Sequence, residues 1–362
     1  MNSMVRSLVL YGTEAASWLR RQMIGFKEQG IPVFILMDAN TYRFCLPVLA
    51  GYLPLKDQHI TNIILPAGET SKNMDSCHQV WQELITKQAG RDAVLINLGG
   101  GMITDLGGFA ASVYKRGVRF IHIPTSLLSM VDAAFGGKTG IGYQGIKNTL
   151  GTFSPPEAVL IFDEFLNTLP KREMLSGLAE VIKYGYINDP EILDMADIDW
   201  LQPIDKWQVI SKCIHAKLSV VEADPMENGR RKLLNFGHTV GHAIESLSHA
   251  KAAGLLHGEA IALGMYCALW LSVEKCKLSP GVLDRYTRWY LKHFKPYFFD
   301  DEDYPELFRL MYQDKKNIGG GFRFVLIKSP GDAYFDIVVG ESQIAESLDA
   351  YRHAFSNFTN KN

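Results

Sequence analysis

The fold is set by one stretch of the chain, Ala93-Val94-Leu95-Ile96-Asn97-Leu98-Gly99-Gly100-Gly101-Met102-Ile103-Thr104-Asp105, in which three glycines join a strand to a helix. The aliphatic run at its start is typical of a parallel strand buried on both faces. Glycines after such a strand let the backbone approach a ligand, and the helix that follows offers free N–H groups to a pyrophosphate. The stretch does not follow the GxGxxG pattern. A tight structural turn, with Asp105 as a helix-capping carboxylate, is therefore the alternative to a nucleotide site.

Outward from this stretch, short aliphatic runs alternate with helical patterns through the first half of the chain. Strands are predicted at residues 8–11, 33–37, 63–65, 93–98 and 120–123, and helices at 14–29 and 76–88. After Pro155-Pro156 helical periodicity dominates, at residues 177–186, 207–222, 239–249, 259–275 and 280–293, with one hairpin at 322–328 and 334–339. We expect a Rossmann-like α/β N-terminal domain with a mainly parallel sheet (residues 1–158) and a mainly α-helical C-terminal domain (residues 159–362).

Composition excludes several classes of partner. The chain has 362 residues, 47% of them hydrophobic and 21% charged, which is ordinary for a globular protein. A net charge of −2 gives no sign of a nucleic-acid partner or of an anionic membrane. Five cysteines without a CxxC pair argue against a disulfide framework. With no signal peptide and no long apolar run, the expectation is a cytoplasmic protein without a membrane partner.

Polar residues follow two of the other predicted strands. Asp38 and Asn40 come directly after the strand at 33–37, where an acidic side chain can accept hydrogen bonds from ribose hydroxyls. Glu69 and Lys72 follow the strand at 63–65. Each of these residues also suits a turn or a helix N-cap. Open α/β sheets bind ligands at the carboxyl ends of their strands, so a dinucleotide is the leading ligand.

Three histidines, His238, His242 and His257, fall within twenty residues in segments with helical periodicity. The first two are four residues apart and share one helix face. Imidazoles presented in this way suit a borderline-soft divalent cation such as zinc, and a carboxylate is a common third ligand. Glu180 is a candidate for that carboxylate, and an ordinary i,i+3 ion pair with Lys183 is its alternative. These patterns do not choose among the three histidines, each of which also suits a hydrogen-bonded core position.

Basic residues stand close to both groups. Lys138 follows two glycines, and Lys147 precedes Asn148, so these lysines are suited to hold a phosphate or a carboxylate. Arg231 lies four residues before Asn235, and both side chains share a helix face that leads towards the histidines. A solvated surface position is the alternative for each cation.

From about residue 33 to 328, the chain resembles the 3-dehydroquinate synthases, members of the sugar phosphate cyclase family, in many short motifs that occur in the same order. The resemblance rests on Gly99-Gly100-Gly101 with Asp105, Arg116-Gly117, Pro124-Thr125-Ser126-Leu127-Leu128 with Asp132, Gly136-Gly137-Lys138-Thr139-Gly140, Lys147-Asn148, Gly177-Leu178-Ala179-Glu180 with Lys183, the segment from Arg231 to His242, His257-Gly258-Glu259, and Asp314-Lys315-Lys316-Asn317.

The resemblance implies two cofactors, NAD and one divalent metal ion, zinc or cobalt. It implies that the metal ligands are Glu180, His238 and His257, with His242 beside them for proton transfer. The NAD contacts that it implies come from Asp38, Asn40, Glu69, Lys72, Gly100, Gly101, Met102, Asp105, Thr125, Ser126, Asp132, Lys147, Phe165 and Thr168.

It also implies a sugar phosphate substrate and a set of residues that hold it. The implied substrate contacts are Arg116, Asp132, Lys138, Asn148, Lys183, Lys217, Arg231, Asn235, His242 and either Lys315 or its neighbour Lys316. The implied catalytic residues are Lys138, Lys183, Glu227, Arg231, Asn235 and His242.

The implied reaction converts 3-deoxy-D-arabino-heptulosonate 7-phosphate to 3-dehydroquinate and phosphate, a lyase step of the shikimate pathway. It proceeds by transient oxidation, phosphate elimination, reduction and intramolecular aldol closure, and the family leads us to expect a homodimer. The competing interpretations are a cyclase for another sugar phosphate, a metal- and NAD(P)-dependent polyol dehydrogenase, and a binding protein without catalysis.

Overall fold

A computed structural model describes residues 7–53, 60–144, 146–200, 202, 205–314 and 321–356. The chain divides into two compact units, residues 1–170 with 201–207 and residues 171–200 with 208–362. The domain boundary predicted between residues 158 and 159 falls at the start of a strand of the first unit, Ala158–Ile161.

The first unit is an α/β unit with eight strands among its described residues. Its elements are β1 (Leu8–Tyr11), α1 (Gly12–Glu28), β2 (Val33–Asp38), α2 (Ala39–Phe44), α3 (Leu46–Tyr52), β3 (Ile60–Leu65), α4 (Met74–Thr86), β4 (Val94–Gly99), α5 (Gly101–Val113), β5 (Arg119–Pro124), β6 (Lys138–Tyr143), β7 (Ile146–Phe153) and β8 (Ala158–Ile161).

Six of these strands form one sheet in the order β1-β8-β5-β4-β2-β3, and every pairing in it is parallel. The central strands are mainly apolar because helices cover both faces of a parallel sheet. The five predicted strands and the parallel sheet are confirmed. The sequence did not predict β8 or the antiparallel hairpin formed by β6 and β7.

Helix α5 packs closely on the sheet because one of its residues is a glycine. A Cβ atom on Gly107 would lie 2.0 Å from Oδ1 of Asn97, a buried residue of β4. The Asn97 amide nitrogen lies 3.1 Å from Nδ1 of His122, on β5. Burial lowers the pKa of His122 to about 3, so this ring is neutral and accepts a hydrogen bond from the amide.

The second unit is mainly helical. Its elements are α6 (Lys171–Ile187), α7 (Glu191–Met195), α8 (Trp207–Ala223, whose first residue falls in the first unit), α9 (His238–Ala250), α10 (His257–Cys276), α11 (Pro280–His293), α12 (Tyr304–Asp314), β9 (Phe322–Ser329), β10 (Asp332–Val339) and α13 (Glu341–Phe355). The predicted helices and the hairpin of β9 and β10 are confirmed.

Helices α9 and α10 come into backbone contact through glycines. A Cβ atom on Gly264 would lie 1.9 Å from the carbonyl oxygen of Gly237 and 2.7 Å from the amide nitrogen of Gly241. Gly237 has a φ of +79°, which favours glycine. Small residues at this crossing therefore bring the first turn of α9 against the body of α10.

None of the helices in the described part of the chain combines the length and the hydropathy that a bilayer-spanning segment needs.

Candidate functional site

Three elements of the second unit bring the predicted metal residues together. Glu180 lies in α6, His238 is the first residue of α9, and His257 is the first residue of α10. Glu180 Oε1 lies 3.3 Å from Nε2 of His257 and 3.7 Å from Nε2 of His238. The third histidine, His242, has its ring centre 5.1 Å from that of His238 and 5.7 Å from that of His257. A buried carboxylate and three imidazoles therefore lie close together at one site.

A backbone contact fixes how close α6 and α10 come. The amide of Gly258 donates to Oγ of Ser176 over 3.0 Å, and a Cβ atom on Gly258 would lie 1.9 Å from the carbonyl oxygen of Ser176. Arg172, at the start of α6, holds both carboxylate oxygens of Glu259 at 2.7 and 2.6 Å. These contacts position His257 relative to Glu180.

The Nδ1 atoms of two histidines are engaged on the side away from Glu180. Nδ1 of His238 lies 3.0 Å from the carbonyl oxygen of Phe236. Nδ1 of His257 lies 3.3 Å from Oε2 of Glu245, a buried carboxylate on α9. Each oxygen can only accept, so each ring carries a proton on Nδ1 and turns Nε2 towards Glu180. Sequence analysis missed Glu245, although its position three residues after His242 was a usable signal.

The two histidines differ in their response to positive charge. Burial lowers the pKa of His238 well below its ordinary value. Burial also opposes charge on His257, but hydrogen bonds to Glu180 and Glu245 raise its pKa to about 10. The two carboxylates thus favour a positive charge at His257, whether a proton or a metal cation provides it.

Three cations of the second unit are buried, Lys183, Lys217 and Arg231, each at most 7% exposed. Lys183 contacts Glu180, so the predicted i,i+3 pair exists, but inside the protein and not on its surface. Arg231 donates from Nη1 to the carbonyl oxygen of Pro225 over 2.6 Å. Buried cations are costly to maintain, so three in one unit indicate a role with an anion.

Two other predicted residues of this unit form a pair. Asn235 donates from Nδ2 to Oε1 of Glu227 over 3.0 Å. Glu227 has a φ of +61°, as unusual as those of Arg116 (+70°) and Asn148 (+53°) in the first unit. Non-glycine residues rarely adopt this conformation, and strain of this kind concentrates at functional sites.

In the first unit, the glycine turn joins β4 to α5 as predicted. The amide of Thr125 donates to the carbonyl oxygen of Gly99 over 3.0 Å, and a Cβ atom on Gly100 would lie 3.2 Å from Oγ of Ser126. The N-cap of α5 is Gly100, which has no side chain to bond the first N–H groups of the helix. Its N–H groups therefore suit an anion, and the turn brings Gly100, Thr125 and Ser126 together.

Asp105 is not the cap of α5, contrary to the structural alternative. Its Oδ2 accepts a hydrogen bond of 2.6 Å from Nζ of Lys72, which also donates to Oδ1 of Asn148 over 2.8 Å. Glu69 lies 3.7 Å from the same ammonium group. Lys72 is only 8% exposed, and its two hydrogen bonds connect the first turns of α5 to the β6–β7 hairpin.

Several other residues predicted to contact NAD are engaged in capping, packing or turns of the first unit. Asp38 caps α2, with Oδ1 accepting from the amides of Asn40 and Thr41 at 2.8 and 2.9 Å. The side chains of Met102 and Phe165 are buried, at 9% and 1% exposure. Thr168 donates from its hydroxyl to the Phe165 carbonyl oxygen, and Gly101 is the first residue of α5. Asp132 lies in a turn of π-helix, and Lys138 is exposed at the start of β6. The predicted contacts of the Lys147 side chain and of Lys315 fall outside the described residues.

Comparison with known proteins points to one family over most of the chain. The family models described as 3-dehydroquinate synthase N-terminal and C-terminal match residues 62–176 and 177–317. A 3-dehydroquinate synthase from Parabacteroides distasonis is 43% identical over 326 residues, which cover 89% of this chain and 92% of that protein.

Solved structures with the same fold include other cyclases. The 2-epi-5-epi-valiolone synthase from Streptomyces hygroscopicus subsp. jinggangensis, solved with NAD+ and Zn2+, is 26% identical with a TM-score of 0.85 over 98% of both chains. A 2-deoxy-scyllo-inosose synthase, solved with carbaglucose-6-phosphate, NAD+ and Co2+, shares the fold at 23% identity and a TM-score of 0.80, over 94% of this chain and 95% of that one. The fold alone does not separate these enzymes, but the sequence matches do: the chain belongs to the 3-dehydroquinate synthase family.

Proposed function

We propose that the protein converts 3-deoxy-D-arabino-heptulosonate 7-phosphate to 3-dehydroquinate and phosphate, using NAD and one divalent metal ion. The observation that carries the proposal is the meeting of Glu180, His238 and His257 inside a chain that both family models match. The cofactors bound in the valiolone synthase structure support the same pair of cofactors here.

The donor atoms fit a zinc-like cation. Ligand atoms about 2.0–2.1 Å from a tetrahedral zinc ion lie about 3.3 Å from one another. The distances from Glu180 Oε1 to the two imidazole nitrogens, 3.3 and 3.7 Å, are close to that spacing. A carboxylate with two imidazoles is also a donor set that leaves one position open for substrate.

A ligand set of three histidines is the competing arrangement. The nitrogens of His238, His242 and His257 all lie within 4.8 Å of one another. We favour Glu180 over His242, because its Oε1 lies 3.3 and 3.7 Å from the two imidazole nitrogens and its charge offsets that of the cation. Metal retention separates the two sets: Glu180→Gln should lose the metal and His242→Ala should keep it.

When bound, the metal would polarise substrate oxygens and NAD would accept and return a hydride, so the reaction has no net oxidation. The protein's own residues bind and orient the anionic substrate. In the second unit, the buried cations Lys183, Lys217 and Arg231 suit its phosphate and carboxylate groups. Glu227, held by Asn235, is the candidate proton acceptor, and His242 is the candidate for proton transfer beside the metal residues.

In the first unit, we assign NAD to the glycine turn and its neighbours. The N-terminal end of α5 would receive the pyrophosphate, and Lys72 would hold Asp105 and Asn148 in place. The remaining predicted contacts, with Asp38, Asn40, Glu69, Thr125, Ser126, Asp132, Lys147, Phe165 and Thr168, belong to the same proposal. The substrate contacts expected of Arg116 and Lys138 in this unit stay predictions.

The test is phosphate release from 3-deoxy-D-arabino-heptulosonate 7-phosphate by zinc-loaded protein with a catalytic amount of NAD. Release far beyond the NAD supplied, abolished by a chelator and restored by zinc, is the expected result. NADH that accumulates with polyols, without phosphate release, would instead identify a dehydrogenase. Glu180→Gln is the inactive variant, and Glu274→Gln, an exposed glutamate on α10, is its matched control. The homodimer and the cytoplasmic location stay predictions, to be tested by light scattering and by cell fractionation.

A further inference from the structure

We propose that Glu245 is a positioning residue of the metal centre, which aims His257 at the metal and strengthens metal binding through its negative charge. The inference rests on the proposed function, because it requires a cation at Glu180, His238 and His257.

The placement of Glu245 on α9 is the first step. His238, His242 and Glu245 occupy positions i, i+4 and i+7, and so form one stripe along the helix. Glu245 is 5% exposed, and its Oε2 lies 3.3 Å from Nδ1 of His257. The stripe thus places two imidazoles and one carboxylate of α9 beside the first residue of α10.

The hydrogen bond selects one form of the His257 ring. A carboxylate accepts and does not donate, so Nδ1 carries a proton whether the ring is neutral or charged, and Nε2 is the nitrogen left for a metal. That Nε2 atom is the one 3.3 Å from Oε1 of Glu180. Glu245 therefore prepares His257 to bind a cation through Nε2 without rotation of the ring.

The two histidines of the centre are held by different acceptors. The neutral carbonyl oxygen of Phe236 holds His238, whereas a charged carboxylate holds His257. A carboxylate makes the opposite nitrogen more basic and thus a stronger ligand. Its charge and that of Glu180 are opposite in sign to the charge of a divalent cation, so a bound cation offsets part of the cost of burying the two carboxylates.

The test compares zinc affinity in three proteins, with a chromophoric chelator as competitor. Glu245→Gln keeps the shape of the side chain and one acceptor oxygen but removes the charge, and Glu274→Gln makes the same change far along α10. We expect Glu245→Gln to bind zinc about 10- to 100-fold more weakly. Glu274→Gln should match the parent protein, and NAD affinity should be unchanged in both variants.

Zinc affinity of Glu245→Gln within twofold of the parent would overturn the inference. A parent protein that binds no stoichiometric zinc would overturn the proposed metal centre as well, so the two failures are distinguishable. If Glu245→Gln does not fold, NMR of the zinc-loaded parent with 15N-labelled histidine decides. A His257 proton on Nδ1 with Nε2 bound to metal supports the inference, and the reverse assignment overturns it.

Discussion

Replacing Gly258 by alanine should damage the metal centre through the backbone alone. The new Cβ atom would lie 1.9 Å from the carbonyl oxygen of Ser176, and ordinary contacts begin at about 3.4 Å. The start of α10 would therefore have to move away from α6 by about 1.5 Å. The Gly258–Ser176 hydrogen bond and the bidentate pair of Arg172 with Glu259 both resist that movement. His257 is the adjacent residue, so any movement is passed to it directly.

The expected magnitude follows from the atoms involved. Overpacking costs about 1–3 kcal/mol, and the upper end applies because the clash is with backbone that cannot change rotamer. Alanine is favoured over glycine within a helix by about 0.5–1 kcal/mol, which leaves a net loss of about 2 kcal/mol. A displacement of about 1 Å at a site can cost about 100-fold in rate. We therefore expect zinc affinity to fall at least about tenfold and turnover to fall further.

The assay is thermal unfolding and zinc competition on Gly258→Ala beside Gly281→Ala. Gly281 is the second residue of α11, as Gly258 is of α10, but the nearest atom to its Cβ position is the Ser279 hydroxyl at 3.7 Å. Gly281→Ala should leave stability and zinc affinity unchanged or slightly improved. Unchanged zinc affinity in Gly258→Ala would refute the view that this contact sets the geometry of the centre.

Further predictions concern both units. Glu180→Ala should abolish zinc binding and turnover while NAD affinity, measured by calorimetry, stays within about twofold; parallel loss of NAD affinity would contradict the assignment of the metal to the second unit. Lys72→Met should weaken NAD binding by about tenfold or more, because it removes charge-assisted hydrogen bonds worth about 1.5–3 kcal/mol. Lys138→Ala should lower kcat/KM by the equivalent of more than about 2 kcal/mol of transition-state stabilisation, and a loss below about 0.5 kcal/mol would indicate an ordinary surface residue. Gly107→Ala should lower the midpoint of thermal unfolding, since its Cβ would lie 2.0 Å from Asn97 Oδ1, and an unchanged midpoint would refute the packing argument.

The local residue pattern was enough to predict a segment whose composition follows directly from its burial. The strands β2 and β4 are mainly apolar runs, as is typical of parallel strands covered on both faces. The hairpin of β6 and β7 escaped prediction, because its glycines and polar residues carry no strand periodicity and its pairing comes from tertiary contact. Strand β8 was missed because it follows Pro155-Pro156, after which helical periodicity was expected to dominate.

The sequence by itself determined the strands of the sheet, the glycine turn and the common face of His238 and His242, because each depends on neighbours within a few residues. Only the tertiary structure decided that His257 and Glu180, 77 positions apart, lie 3.3 Å from each other. It also placed Glu245 beside Nδ1 of His257, and it paired Asp105 with Lys72 where a cap at the start of α5 had been the alternative. Such contacts depend on where helices cross, and the crossings depend on glycines whose missing Cβ atoms matter only once the partner backbone is in place.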